Sequence, residues 1–175
     1  MKAVVQRVTD ASVSVEGQVR GRINYGLPVY LGVALDDTKT DVDWLVEKIV
    51  HLRIFDDTEG KMNLSLSEIV NQHQNMVNKD VVNSDDFPVN TGILAISQFT
   101  LLGDAVKGRR PSWSKAAPPE KARDLYLYFI DKIREKDFVC ESGEFQARMN
   151  VSYTNNGPVT ILLDSAEKQA CVKRP

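Results

Sequence analysis

Ser97 and Thr100 flank Gln98-Phe99 at the end of an apolar run, where strand-end side chains can face a pocket. A polar Ser-Gln pair in that setting needs hydrogen-bonding partners, and two readings are open: residues satisfied by neighbouring backbone, or a site. A nucleophilic Thr100 would need an activating base, and none is visible nearby. The two histidines, His51 and His73, stand in neither triad nor metal spacing. His51 falls at the end of a predicted helix and His73 in a polar stretch, so both read as non-catalytic. There is no glycine-rich phosphate loop after a strand, no Gly-x-Ser-x-Gly elbow and no His-Glu-x-x-His pair. Conventional hydrolase machinery is therefore missing, and no ligand cluster calls for a metal or any other cofactor.

Two further segments carry chemistry. Lys107-Gly108-Arg109-Arg110-Pro111-Ser112-Trp113 joins guanidinium groups to an indole, a combination suited to phosphates and an unpaired base. Nine basic residues stand against five acidic ones between Asp104 and Lys136, although the whole chain has net charge −2. A solvated basic loop and an RNA contact are both compatible with that pattern. Asn155-Asn156-Gly157-Pro158 contains an ordinary hairpin-turn pair, Asn-Gly, followed by a proline whose bond geometry the letters do not reveal.

The elements that must hold these residues follow from hydrophobic periodicity. The chain has 175 residues, with 42% hydrophobic and 26% charged, the size and composition of one folded domain, residues 1–175. Alternation at Val4 to Val8 and at Val13 and Val15 predicts strands before a turn at Glu16-Gly17, with a buried strand over 27–35. From Thr40 the period becomes helical, with Val42, Leu45, Val46, Ile49 and Val50 on one stripe. Arg53-Ile54-Phe55 restarts a strand. Residues 70–90 are polar without a clear period and read as a variable surface excursion. A strand over 92–102 follows, and Pro118-Pro119-Glu120 then opens a second helix with Leu125, Tyr126, Phe129, Ile130 and Ile133 inward. Alternation from Phe145 to Tyr153 and a last strand over 159–163 complete an α+β domain: antiparallel sheets curled into a barrel-like core with two helices. Cys140 and Cys171 have no metal spacing and read as packed thiols of a reducing compartment. No apolar stretch approaches the ~20 residues of a membrane span, so the expected setting is the cytoplasm.

Taken together, these segments resemble the D-aminoacyl-tRNA deacylases. The likeness covers most of the chain: Met1-Lys2-Ala3-Val4-Val5-Gln6-Arg7-Val8 with Ala11-Ser12-Val13, then Gly60-Lys61-Met62-Asn63, Ser97-Gln98-Phe99-Thr100-Leu101, Gly108-Arg109-Arg110-Pro111-Ser112 and Asn155-Asn156-Gly157-Pro158-Val159-Thr160. The resemblance implies a homodimer of barrel-like subunits with both active sites at the interface, acting on aminoacyl-tRNA without membrane or DNA as partner. Ser97, Gln98, Phe99 and Thr100 would form the catalytic strand end, while Met149 and Asn155 would belong with the chirality-setting group at the subunit interface. Gly157-Pro158, joined by a cis bond and held by Arg7, would reach into the partner's pocket and set chirality. Lys107, Arg109, Arg110 and Trp113 would bind tRNA.

The same resemblance accounts for the missing base. The substrate is an amino acid esterified to the terminal ribose of tRNA, whose neighbouring hydroxyl can assist the proton transfer. Backbone N–H groups near Phe99 and Thr100, helped by the Thr100 hydroxyl, would stabilise the oxyanion. The Gly157 and Pro158 carbonyls would hold the substrate amine so that an L side chain collides while a D side chain, or glycine, is accepted. Three positions depart from the family: Gln146 in Phe145-Gln146-Ala147-Arg148-Met149 where glycine is usual, Asn156 for Asp, and Trp113 for Phe. Residues 70–90 also make a longer connection than usual, either a disordered excursion or an added tRNA contact. A non-catalytic RNA-binding protein and a Thr- or Ser-dependent esterase of small molecules are the alternatives.

Overall fold

In the computed structural model, residues 1–77, 90–106 and 108–168 are described. β1 (Lys2–Val15) and β2 (Gln18–Gly32) form a long antiparallel hairpin. Its tight turn needs positive φ at both central residues, and Glu16 (51°) and Gly17 (79°) supply it. α1 (Lys39–Val50) follows, opened by a capping box in which Thr38 and Asp41 satisfy one another's end of the helix. A two-stranded hairpin, β3 (Phe55–Asp56) and β4 (Met62–Leu64), leads into α2 (Leu66–Val77). β5 (Thr91–Ser97), a 3-10 turn (Phe99–Leu102), α3 (Pro119–Arg134), β6 (Val139–Ser142) and β7 (Met149–Asp164) complete the order.

Five strands make one mixed sheet in the order β6-β5-β2-β1-β7. β5 runs parallel to both β2 and β6, which the expectation of antiparallel sheets did not contain. The connection from β2 to β5 passes through two helices, and that from β5 to β6 through α3, the kind of crossover that parallel pairing requires. β6 and β7 are the edges, and no pairing among the described residues closes the sheet into a barrel. β5 is also buried on both faces: Ile93 and Ala95 join a large core with α1 and α3, while Leu94 and Ile96 join a smaller one with Val8, Val13 and Ile23. Its uninterrupted apolar run is therefore that of a central strand rather than a half-exposed one.

Four further expectations need correction. The strand placed at 27–35 is the second half of β2 and ends at Gly32. The strand placed at 92–102 stops at Ser97, where the chain tightens into the 3-10 turn. There are three α-helices among the described residues rather than two: α2 takes up residues 70–77 of the polar stretch, including His73, and residues 78–89 lie outside the described ones. Residues 145–148 are a turn, and only from Met149 does the alternation belong to a strand, which then continues through Gly157-Pro158 to Asp164.

Candidate active site

The end of β5 is brought against β2 because Gly32 carries no side chain. A Cβ there would come within 2.5 Å of Leu102 Cδ2 and 3.0 Å of the Gln98 carbonyl oxygen. Gln98 N–H donates to Leu31 O at 2.8 Å, and the 3-10 ladder begins with Leu101 N–H donating to Gln98 O at 3.3 Å. The amides of Phe99 and Thr100 lie ahead of that ladder and have no acceptor within the turn. Gln98 Nε2 donates to Thr100 Oγ1, so the Thr100 oxygen is occupied as an acceptor while its own proton is free to point elsewhere.

Beside this turn opens a cavity of about 590 Å³. Ser97, Gln98 and Phe99 line it together with Leu31, Val33, Ile96, Tyr126 of α3, the turn residues Phe145, Gln146 and Ala147, and Met149 and Val151 of β7. Thr100 is exposed at the rim and does not line it. The walls are apolar apart from Ser97, Gln98 and Gln146, so any polar group of a ligand must be met by these few side chains or by backbone. Tyr126 is turned away from that role, because its hydroxyl donates to Ala95 O at 2.9 Å and burial raises its pKa. Gln146 sits at φ +65°, in the left-handed region that favours glycine.

Gly157-Pro158, joined by a cis bond, lies elsewhere in the protomer and does not line the cavity. The register between β1 and β7 explains its shape. Gln6 pairs with Thr160 and Val8 with Asn155, so Arg7 alone stands opposite residues 156–159, which bulge out of the edge strand. Arg7 is 5% exposed. Its Nε donates to Asn156 O at 3.1 Å, and its Nη1 donates to Ile54 O at 2.9 Å and pairs with Asp56 Oδ1 at 3.0 Å. On the other side of the bulge, Asn155 Oδ1 accepts from Val159 N–H at 3.1 Å and Asn155 Nδ2 donates to Thr160 Oγ1 at 3.2 Å. Tyr153 Oη donates to Gln6 Oε1 at 2.6 Å, and Gln6 Nε2 donates to Thr160 Oγ1 at 3.0 Å.

The basic loop is closed by paired backbone bonds between Asp104 and Ser112, which leave Arg109 and Arg110 exposed at its tip without an ion pair among the described residues. Lys107 lies outside those residues. Much of the neighbouring positive charge is engaged: Lys115 with Asp104, Lys132 with Glu135, Lys136 with Glu47, and Arg134 with the Cys140 carbonyl. Trp113, 40% exposed, meets Phe99 edge-on with ring centroids 5.3 Å apart, so the loop leans on the cavity rim.

His51 caps the C-terminus of α1, its Nδ1 2.9 Å from Glu47 O, and lines no part of the cavity. Cys140 is buried, and that burial pushes its thiol up to about 12, so it packs. Among the described residues no group of three His, Cys, Asp or Glu side chains is placed to hold a metal, and no helix is long and apolar enough to cross a membrane. The sequence marks Tyr126 only as a core residue and gives Asp56, Gln6 and Tyr153 no role at a site. The one signal for Asp56 was Gly60-Lys61-Met62-Asn63 a few residues on, which closes the hairpin that carries it.

Comparison with known proteins identifies the family. Residues 4–164 match the family model for D-Tyr-tRNA(Tyr) deacylase. A D-aminoacyl-tRNA deacylase of Kosmotoga olearia is 51% identical over 168 residues, covering 96% of this chain and 99% of that protein. Another, of Thermosipho melanesiensis, is 51% identical over 94% of this chain and 97% of its own. A solved structure titled c-Myc DNA Unwinding Element Binding Protein is 37% identical with TM-score 0.76, covering 94% of this chain and 98% of that one. The structure of a probable eukaryotic D-amino acid tRNA deacylase shares the fold at TM-score 0.70 and 19% identity, covering 93% of this chain and 97% of its own. The chain belongs to the D-Tyr-tRNA(Tyr) deacylase family.

Proposed function

We propose that the protein hydrolyses the ester of D-aminoacyl-tRNA, and of glycyl-tRNA, while rejecting L-aminoacyl-tRNA. The observation that carries this reading is the end of β5, where two amides stand ahead of the 3-10 ladder at the rim of an apolar cavity that no histidine among the described residues lines. Such a rim can stabilise an oxyanion but cannot by itself remove a proton. A substrate whose own ribose hydroxyl assists that transfer fits it. In this reading Thr100 supports the oxyanion rather than attacking, since its hydroxyl is bonded by the Gln98 amide, which is no base.

The sorting element in this reading is Gly157-Pro158. Its carbonyls take the substrate amine and leave no room for an L side chain. Because the bulge is exposed on an edge strand and absent from its own protomer's cavity, it serves the cavity of a second copy, giving a homodimer of curled, barrel-like subunits with shared sites. Arg109, Arg110 and Trp113, with Lys107, hold the tRNA beside the rim. The setting is the cytoplasm, with neither membrane nor DNA as partner and no cofactor.

Incubation with D-tyrosyl-tRNA, L-tyrosyl-tRNA and a small tyrosyl ester tests the reading. Release of D-tyrosine alone is expected. Equal rates for both hands, binding without turnover, or cleavage of the small ester at the tRNA rate would each overturn it.

A further inference from the structure

We infer that Asp56 is a positioning residue for the Gly157-Pro158 bulge, acting through Arg7. A buried guanidinium needs both a counter-charge and full use of its donors. Arg7 is 5% exposed, and Asp56 is its ion-pair partner among the described residues, at 3.0 Å. Asn156, the residue whose carbonyl Arg7 holds, brings no charge of its own. The planar fork is therefore fixed on one side by Asp56 and Ile54 O and on the other by Asn156 O, and turning the first pair loose would turn the second.

Asp56 is itself rigidly mounted, which is what a positioning role demands. Phe55 beside it is fully buried and packs against Tyr25 with ring centroids 5.4 Å apart. The next residue, Asp57, accepts from the Lys61 and Glu59 amides at 3.0 and 2.9 Å and from Asn63 Nδ2 at 3.2 Å, which shuts the hairpin. Arg53 Nε donates to Asn63 O at 2.6 Å from outside. Gly60-Lys61-Met62-Asn63, which no step of the proposed reaction uses, thereby holds Asp56 against Arg7.

This inference rests on the proposed sorting role of Gly157-Pro158, and the experiment separates the two. Asp56→Asn, Asp56→Ala and Asp56→Glu in the full chain are assayed on D- and L-tyrosyl-tRNA alongside Gly157→Ala, with thermal unfolding of each. Asp56→Asn keeps the side chain's shape and tests the charge even if Asp56→Ala fails to fold. The expected result is a D-over-L ratio narrowed roughly tenfold by Asp56→Asn and partly restored by Asp56→Glu, since one half-exposed charge contact is lost. A ratio within about twofold of the parent, whether or not the melting temperature falls, overturns the inference and leaves Asp56 a structural residue. If Gly157→Ala moves the ratio and Asp56→Asn does not, only this inference fails; if neither moves it, the sorting role fails with it.

Discussion

At the end of β5, Gln98 and Thr100 bond to each other, Phe99 stands 56% exposed, and two amides precede the hydrogen-bonded turn. At the bulge of β7, by contrast, Arg7 is buried and three-way bonded, Asn155 spans the loop, and Gln6 and Tyr153 brace its far side. The contrast follows from what each proposed role requires. Telling mirror images apart depends on displacements of about an ångström, so that surface must be held from several directions. A reaction whose proton transfer is supplied by the substrate asks only for open donors in a dry setting.

Gly157→Ala would strain the contrast most. At φ +134°, a Cβ would meet Val159 Cγ2 at 2.7 Å, Val159 N at 2.9 Å and Arg7 Nη2 at 3.3 Å, so the loop must move. Turnover of D-tyrosyl-tRNA is expected to fall about 10²-fold in single-turnover assays, with the displacement of an aligned group as the cause. Thr100→Ala probes the other region. Because the backbone amides remain, its cost should be about tenfold in the single-turnover rate with little change in the D-over-L ratio. An unchanged rate would remove Thr100 from the reaction, and a trapped acyl-Thr100 would make it the nucleophile.

Gln146→Gly has the smallest expected effect and extends the contrast to the cavity wall. Relief of ~1–2 kcal/mol of left-handed strain is opposed by ~0.4–1 kcal/mol from the added freedom of the unfolded chain. A net stabilisation of about 0.5 kcal/mol should appear in denaturant unfolding. The KM for D-tyrosyl-tRNA should change by about twofold, since an exposed amide at the wall is removed while the rim stays intact.

How much could be read beforehand differs between these regions for a physical reason. The stripe of α1 and the cluster Leu125 to Ile133 of α3 were legible because burial repeats along one helix. The parallel neighbours of β5 were not, since an apolar run reads alike whether its partners run up or down. Ser97, Gln98 and Phe99 stood out as polar or aromatic residues closing an apolar strand, and they do line the cavity. Arg7 could be singled out only by resemblance, and its partners Asp56 and Ile54 were hidden because they come from a separate part of the chain. Gln146 showed as a departure in the letters, but its left-handed backbone did not.

The unequal pairing opposite Arg7 also restricts insertions and deletions. Removing one residue from 156–159 leaves two outcomes: the projection shortens with its flanks still aligned, or β7 slides by one and inverts its pleat. Sliding would turn buried Val159 outward and shift every pair from Thr160 to Asp164, while shortening would withdraw the proline from whatever it touches. Chain length over this stretch is therefore as constrained as residue identity, and related sequences should carry no gaps there.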